Sequence, residues 1–150
     1  MKKFLIITLI FYSTALSAAG TEGKYDNSTP TNVDFHRAVK MINNDNFDQA
    51  LRVLLDIESK KPLGYTKADL YNYLGYCSRK KSNPDFEKAE YYYNKSLDLD
   101  AKHVGALEYL GELYYETNEI EKALVMLDRL EASAGKDSEE YQELYELLNN

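Results

Sequence analysis

The residues of this chain that could do chemistry are few, and their spacing does not favour it. Neither His36 nor His103 has a Cys, His or carboxylate partner at the helical spacing a closed zinc site needs. Asp34 lies only two residues before His36, and residues that close on a helix do not face one another, so both histidines read as surface residues. Cys77 is the sole cysteine, which excludes an intramolecular disulfide and a cysteine-based metal site. It reads as a buried, inert thiol, since an exposed one in an oxidising compartment would cross-link chains. There is no glycine-rich phosphate loop, and no Ser or Cys nucleophile in a strand–turn–helix setting. Carboxylates are plentiful, but general acid–base work needs them to converge in a desolvated cleft. Glu108, Glu112, Glu116 and Glu119 recur at helical spacing and read as a solvated acidic face. The expectation is a protein that is not an enzyme, with no catalytic residue, no metal and no cofactor.

Tyrosine is what the chain has in quantity: 14 copies, with no tryptophan. Tyrosines supply contact area at low side-chain entropy cost, which is binding chemistry rather than catalysis. Which of them face a partner depends on the elements that carry them.

The first 19 residues have the order of a secretory signal peptide. Lys2 and Lys3 precede an apolar run from Phe4 to Tyr12, and Ser17 and Ala19 sit three and one residues before a cut after Ala19. The run is well short of the roughly 20 residues that span a bilayer, and no cysteine follows to be acylated. This reads as export to the periplasm, or secretion, by a bacterium. Cleavage removes two lysines and no acid, which moves the formal charge from −7 to −9. An acidic surface argues against nucleic acid and against anionic lipid. It either keeps the chain soluble or selects basic partners.

Residues 20–30, "GTEGKYDNSTP", read as a flexible leader. From Val33 onward the pattern is helical almost throughout, with no alternating strand. "NNDN" (43–46) separates the first helix from the second, and "KKPLGYT" (60–66) ends the second. Thr66 with Asp69 predicts a capping box for the third. Asn83 as cap and Pro84 at the first helical position predict the start of the fourth. "LDAKH" and "ETNE" delimit the fifth; Gly135 ends the sixth, and Asp137 with Glu140 is the expected cap of a seventh. In that last helix Tyr141, Leu144, Tyr145 and Leu148 form an apolar stripe, with Glu139, Glu140, Glu143 and Glu146 toward water. Its acidic polar face argues against a membrane-surface helix.

The helices come in pairs marked by small residues. Ala38 and Ala50 are 12 apart, Gly111 and Ala123 are 12 apart, Gly75 and Ala89 are 14 apart, and Ala89 and Ala123 are 34 apart. Phe47, Phe86 and Ile120 stand three before each second small residue, and Leu54, Tyr93 and Leu127 four after it. A glycine in mid-helix costs about 0.5–1 kcal/mol against alanine. Gly111 therefore marks a place where another helix presses close, expected to be that of Ala123.

This pattern resembles the tetratricopeptide repeat. The third copy carries the likeness best, with Leu107, Leu110-Gly111, Tyr114, Ala123 and Leu127; the second matches at Tyr71, Leu74-Gly75, Ala89 and Tyr93. The first is weaker, with Ala38, Met41, Ala50, Leu54 and Pro62, and has Arg37 and Ala38 where leucine and glycine are usual. Ala101 and Ala132 replace the closing proline in the other two. With its tail, the third copy also looks like small exported bacterial repeat proteins. The resemblance implies an all-α fold, a right-handed superhelical solenoid of three helix–turn–helix repeats (31–65, 66–103 and 104–137) with a capping helix at 138–150. Tyr71, Tyr91, Tyr93 and Tyr114 fall on positions that pack between helices.

In proteins of this family the first helix of each pair lines a concave groove that holds a peptide or partner helix. The carry-over gives Phe35, Val39 and Ile42 from the first copy, Asn72, Tyr73, Tyr76, Arg79 and Lys80 from the second, and Glu108, Tyr109, Glu112 and Tyr115 from the third. That groove would be aromatic and apolar at one end and acidic at the other. The carboxylate clamp of chaperone-tail-binding members does not carry over: Phe35, Val39, Tyr73, Gly105 and Tyr109 stand where it needs Lys, Asn and Arg. The expected function is a protein–protein interaction scaffold, monomeric, whose partner is a peptide or helix of apolar and basic character. A self-assembling structural protein and an envelope accessory factor contacting cell-wall glycan are the alternatives.

Overall fold

Helix ends expose N–H groups that need acceptors, and side chains supply one at the start of α3, α4, α5 and α7 among the described helices. The computed structural model describes residues 30–60 and 65–149, which form seven helices. These are α1 (Pro30–Ile42), α2 (Phe47–Glu58), α3 (Lys67–Lys80), α4 (Phe86–Leu99), α5 (Val104–Glu116), α6 (Ile120–Ala134) and α7 (Glu139–Asn149). No strand occurs among the described residues, and none of their helices is long and apolar enough to cross a membrane. The signal-peptide assignment (1–19), the leader up to residue 29 and Pro62 lie outside the described residues.

The expected capping box opens α3: the Thr66 hydroxyl accepts the Asp69 N–H at 3.0 Å, and the Asp69 carboxylate accepts the Thr66 N–H at 3.0 Å. Gly135 ends α6 with φ 86°, a left-handed conformation that suits a residue without Cβ. Two expected caps fall elsewhere. Asp85, not Asn83, caps α4 by accepting the Lys88 N–H at 3.0 Å, and the helix begins at Phe86 beyond Pro84. Ser138, not Asp137, accepts the Tyr141 N–H at the start of α7, at 3.3 Å. Carboxylate and hydroxyl caps are energetically close, so these choices are made by how each loop turns.

His103 corrects the surface reading more substantially. Its Nδ1 accepts the Ala106 N–H at 3.2 Å, capping α5, while Nε2 lies 3.2 Å from Asp69 Oδ1. One imidazole thus joins the N-termini of α3 and α5, the first helices of adjacent pairs, through the carboxylate that also caps α3. His36, in contrast, is exposed as expected.

Packing is by neighbours. The most extensive contacts are within α1–α2, α3–α4 and α5–α6, followed by contacts between successive pairs and of α7 on α5 and α6. That is the solenoid pattern, in which each unit buries its apolar face only against the next. Two apolar clusters result. Phe35, Ala38, Ala50, Leu54, Leu70 and Leu74 belong to the first; Ala89, Leu107, Leu110, Ala123, Leu127 and Leu144 belong to the second. α4 divides them, giving Tyr92 to the first and Tyr93 to the second. Cys77 lies in the first cluster, and burial pushes its thiol up to about 12.

The small residues do hold helices close, with a change of partner at one of them. A Cβ on Gly75 would stand 2.6 Å from the Tyr93 ring. On Gly111 it would collide with Leu144 of α7 and stand 3.2 Å from Met126 Cβ of α6. Gly111 is therefore the seat of the capping helix as much as of α6. Tyr71, Tyr93 and Tyr114 are buried as expected, whereas Tyr91 is 54% exposed and its neighbour Tyr92 takes the inward position. Tyr145 is 45% exposed, leaving Tyr141 and Leu144 as the buried anchors of α7.

Gly111→Ala should lower stability by about 1–3 kcal/mol despite alanine's better helix propensity, because Leu144 and α7 must shift. A urea melt followed by circular dichroism measures this, and a stabilised variant would contradict the packing account. Asp69→Ala removes a cap and the His103 partner together and should cost about 1–2 kcal/mol in the same melt. No change there would mean that the joint between α3 and α5 carries no load.

Candidate functional site

The expected groove residues lie on α1, α3 and α5, and the structure sorts them by depth. Phe35 and Ile42 belong to the first apolar cluster rather than to an open surface; Phe35 stacks on Tyr65 with ring centroids 4.4 Å apart. Val39, Tyr73, Tyr76, Tyr109 and Glu112 are half-buried, Lys80 and Tyr115 are exposed, and Asn72, Arg79 and Glu108 are buried.

Tyr73, Tyr76 and Tyr109 form part of an aromatic row. Tyr73 meets Phe35 edge-on at 5.7 Å, Tyr76 meets Phe47 edge-on at 5.8 Å, and Tyr76 and Tyr109 lie 4.7 Å apart with planes tilted by 40°. Tyr109 also approaches Tyr93 at 6.3 Å, which links the row to the second core. Burial raises the pKa of Tyr73, Tyr76 and Tyr109, so all three present neutral phenols.

Beneath the row sits Arg79, only 2% exposed. Its guanidinium carbon is 5.8 Å from the ring centroids of both Tyr76 and Tyr109. One NH2 group donates to the Tyr109 carbonyl at 2.8 Å and the other to Glu112. Glu116 lies 3.9 Å from Nε and 3.6 Å from the Lys80 ammonium. Burial pulls the arginine toward neutrality, but Tyr93, Glu112 and Glu116 outweigh it and hold its pKa above the ordinary value. Arg79 is thus not a free cation in the groove. It is the bolt between α3 and α5, and Lys80 is the exposed base at that end.

The acidic end also differs from a solvated face. Glu108 is 5% exposed, and its carboxyl lies within 4.8 Å of that of Glu143 on α7. Burial first, then Glu143, Glu112 and Glu140, push its pKa up to about 9. Glu140 and Glu143 thus border the site rather than facing water alone. Oxygens of Glu108, Glu112 and Glu143 lie within 4.8 Å of one another, the one such trio of potential metal ligands among the described residues. With a proton on Glu108 and Arg79 on Glu112, the trio falls short of the six to eight oxygens a hard cation takes.

The sequence pattern missed the His103–Asp69 link and the part played by α7. Asp69 and His103 are 34 residues apart, one repeat, so a search across repeats rather than within a helix would have paired them.

The model of the tetratricopeptide repeat family matches residues 83–148, which takes in α4 to α7 and leaves α1 to α3 outside. No curated protein matches the chain. Among solved structures it is similar to PcrH, in a crystal structure of PcrH in complex with the chaperone binding region of PopB. The TM-score is 0.63 at 13% identity, over 79% of this chain and 91% of that one. At that identity the likeness is one of fold: a helical solenoid built from repeats. Repeats of this family are interaction modules, and no catalytic family is indicated. The family match and the paired helices with small residues at their crossings agree: residues 83–148 are similar to tetratricopeptide repeats, and the fold as a whole is a helical solenoid of that kind.

Proposed function

We propose that the face shared by α3 and α5 binds an extended or helical peptide segment of apolar and basic character. The row Tyr73–Tyr76–Tyr109 carries the reading, because Arg79 pins the Tyr76 and Tyr109 rings, Phe35 meets the Tyr73 ring, and all three tyrosines are half-buried. Rigid aromatic area loses little entropy when a partner covers it. Beside the row stand Glu112, Glu116, Glu140 and Glu143 against Arg79 and Lys80, so acids outnumber bases and a Lys or Arg of the partner finds complementary charge. The fold likeness to a protein solved with the chaperone binding region of its partner agrees with a peptide-binding role. The signal-like pattern of residues 1–19 supports a role outside the bacterial cytoplasm, with the chain proposed as a monomeric scaffold.

A peptide selected from a random library on the immobilised chain should combine aromatic or aliphatic residues with Lys or Arg. Its affinity should fall as salt rises from about 0.05 to 0.5 M, since exposed charges are screened. Tyr73→Ala with Tyr109→Ala should weaken it by about 2 kcal/mol, near thirtyfold, with helical content retained. Tyr91→Ala, on the exposed side of α4, is the control and should leave affinity unchanged. Equal losses in both variants, read by fluorescence anisotropy, would remove the proposal.

A further inference from the structure

The seam between α5 and α7 combines an apolar lock with a buried carboxyl facing a carboxylate. The lock is Leu144, seated where Gly111 leaves no side chain. One turn before Gly111 on α5 is Glu108, and beside Leu144 on α7 is Glu143; oxygens of these two carboxyls lie within 4.8 Å of each other. Other charged and titratable groups surround the pair. On α5 stand Glu112, engaged by Arg79 of α3, and Tyr109, which Glu108 influences; on α7 stands Glu140. α7 rests on α5 and α6 alone among elements with extensive contacts, so little else holds it.

We propose that α7 is a pH-sensitive latch, closed while Glu108 shares its proton with Glu143 and loosened when that proton leaves. In the closed state a neutral Glu108 donates its O–H to the Glu143 carboxylate. Without the proton, the buried Glu108 carboxylate would face that of the exposed Glu143, with Glu112 and Glu140 adding to the repulsion. When α7 lifts away, Glu108 becomes solvated and its pKa returns toward the ordinary 4.5, against about 9 when closed. The closed form therefore holds a proton that the open form has lost. Its stabilisation is complete below about 4.5, declines as pH rises and is gone above about 9. Acid fastens the latch and alkali frees it. Lifting α7 would uncover Gly111 and the apolar wall of α5, next to Tyr109. The latch stands whether or not the tyrosine row binds a peptide.

Hydrogen exchange of residues 139–149 in the full chain, corrected for the intrinsic rate at each pH, tests this, with α3 as internal reference. Between pH 6 and pH 9 the protection of α7 relative to α3 should fall by about tenfold or more. Glu108→Gln keeps the shape and a donor for Glu143 but cannot ionise, and should flatten the profile with α7 still protected. If that variant does not fold, Glu143→Gln, which removes the facing charge, should make the fall shallower. A wild-type profile that is flat, or variants that fall as steeply as wild type, would overturn the latch.

Discussion

A guanidinium withdrawn from water has to be surrounded by partners or it unfolds what buries it. Arg79 meets that demand with groups from the next repeat: the Tyr109 carbonyl and the Glu112 and Glu116 carboxylates, with Tyr76 and Tyr109 against its faces. Breaking a buried pair from one side costs about 3–5 kcal/mol, so the spacing of α3 from α5 is fixed by charge as well as by apolar packing. The tyrosine row inherits its geometry from that spacing. At the other end of the same two helices, Asp69 and His103 make a second joint. Together they hold the second pair to the third, and the candidate site lies between the two joints.

Local signals in the sequence translated well. The small residues of each pair, the Thr66–Asp69 box and Gly135 depend on neighbours within a turn or on one helix crossing, and they stand where the pattern puts them. Three successive tyrosines, Tyr91 to Tyr93, were not decidable in the same way. They share composition and differ only in helix phase; the motif positions pointed to Tyr91 and Tyr93, whereas α4 lies between two cores and buries Tyr92 in one and Tyr93 in the other. For Phe35 and Ile42, groove positions by analogy, the first pair packs on α3 and draws them into the core.

Buried charge was the least legible feature. Glutamates at helical spacing look alike whether they face solvent or a neighbouring helix, and only the arrival of α7 makes Glu108 an interior residue. Arg79 looked like a groove cation for the same reason: its partners Glu112 and Glu116 sit one repeat further along the chain. In a solenoid, each helix face is decided by the repeat that follows, so periodicity within one helix leaves open which polar residues that repeat will cover.

The account rests on the face shared by α3 and α5 being the one that takes a partner. Its most direct test is a heteronuclear NMR titration of the labelled chain with an apolar peptide bearing Lys or Arg. Shifts concentrated at Tyr73, Tyr76, Tyr109, Glu112 and Glu116 are the predicted result. Shifts confined to the exposed sides of α4 and α6, around Tyr91 and Leu124, would contradict it.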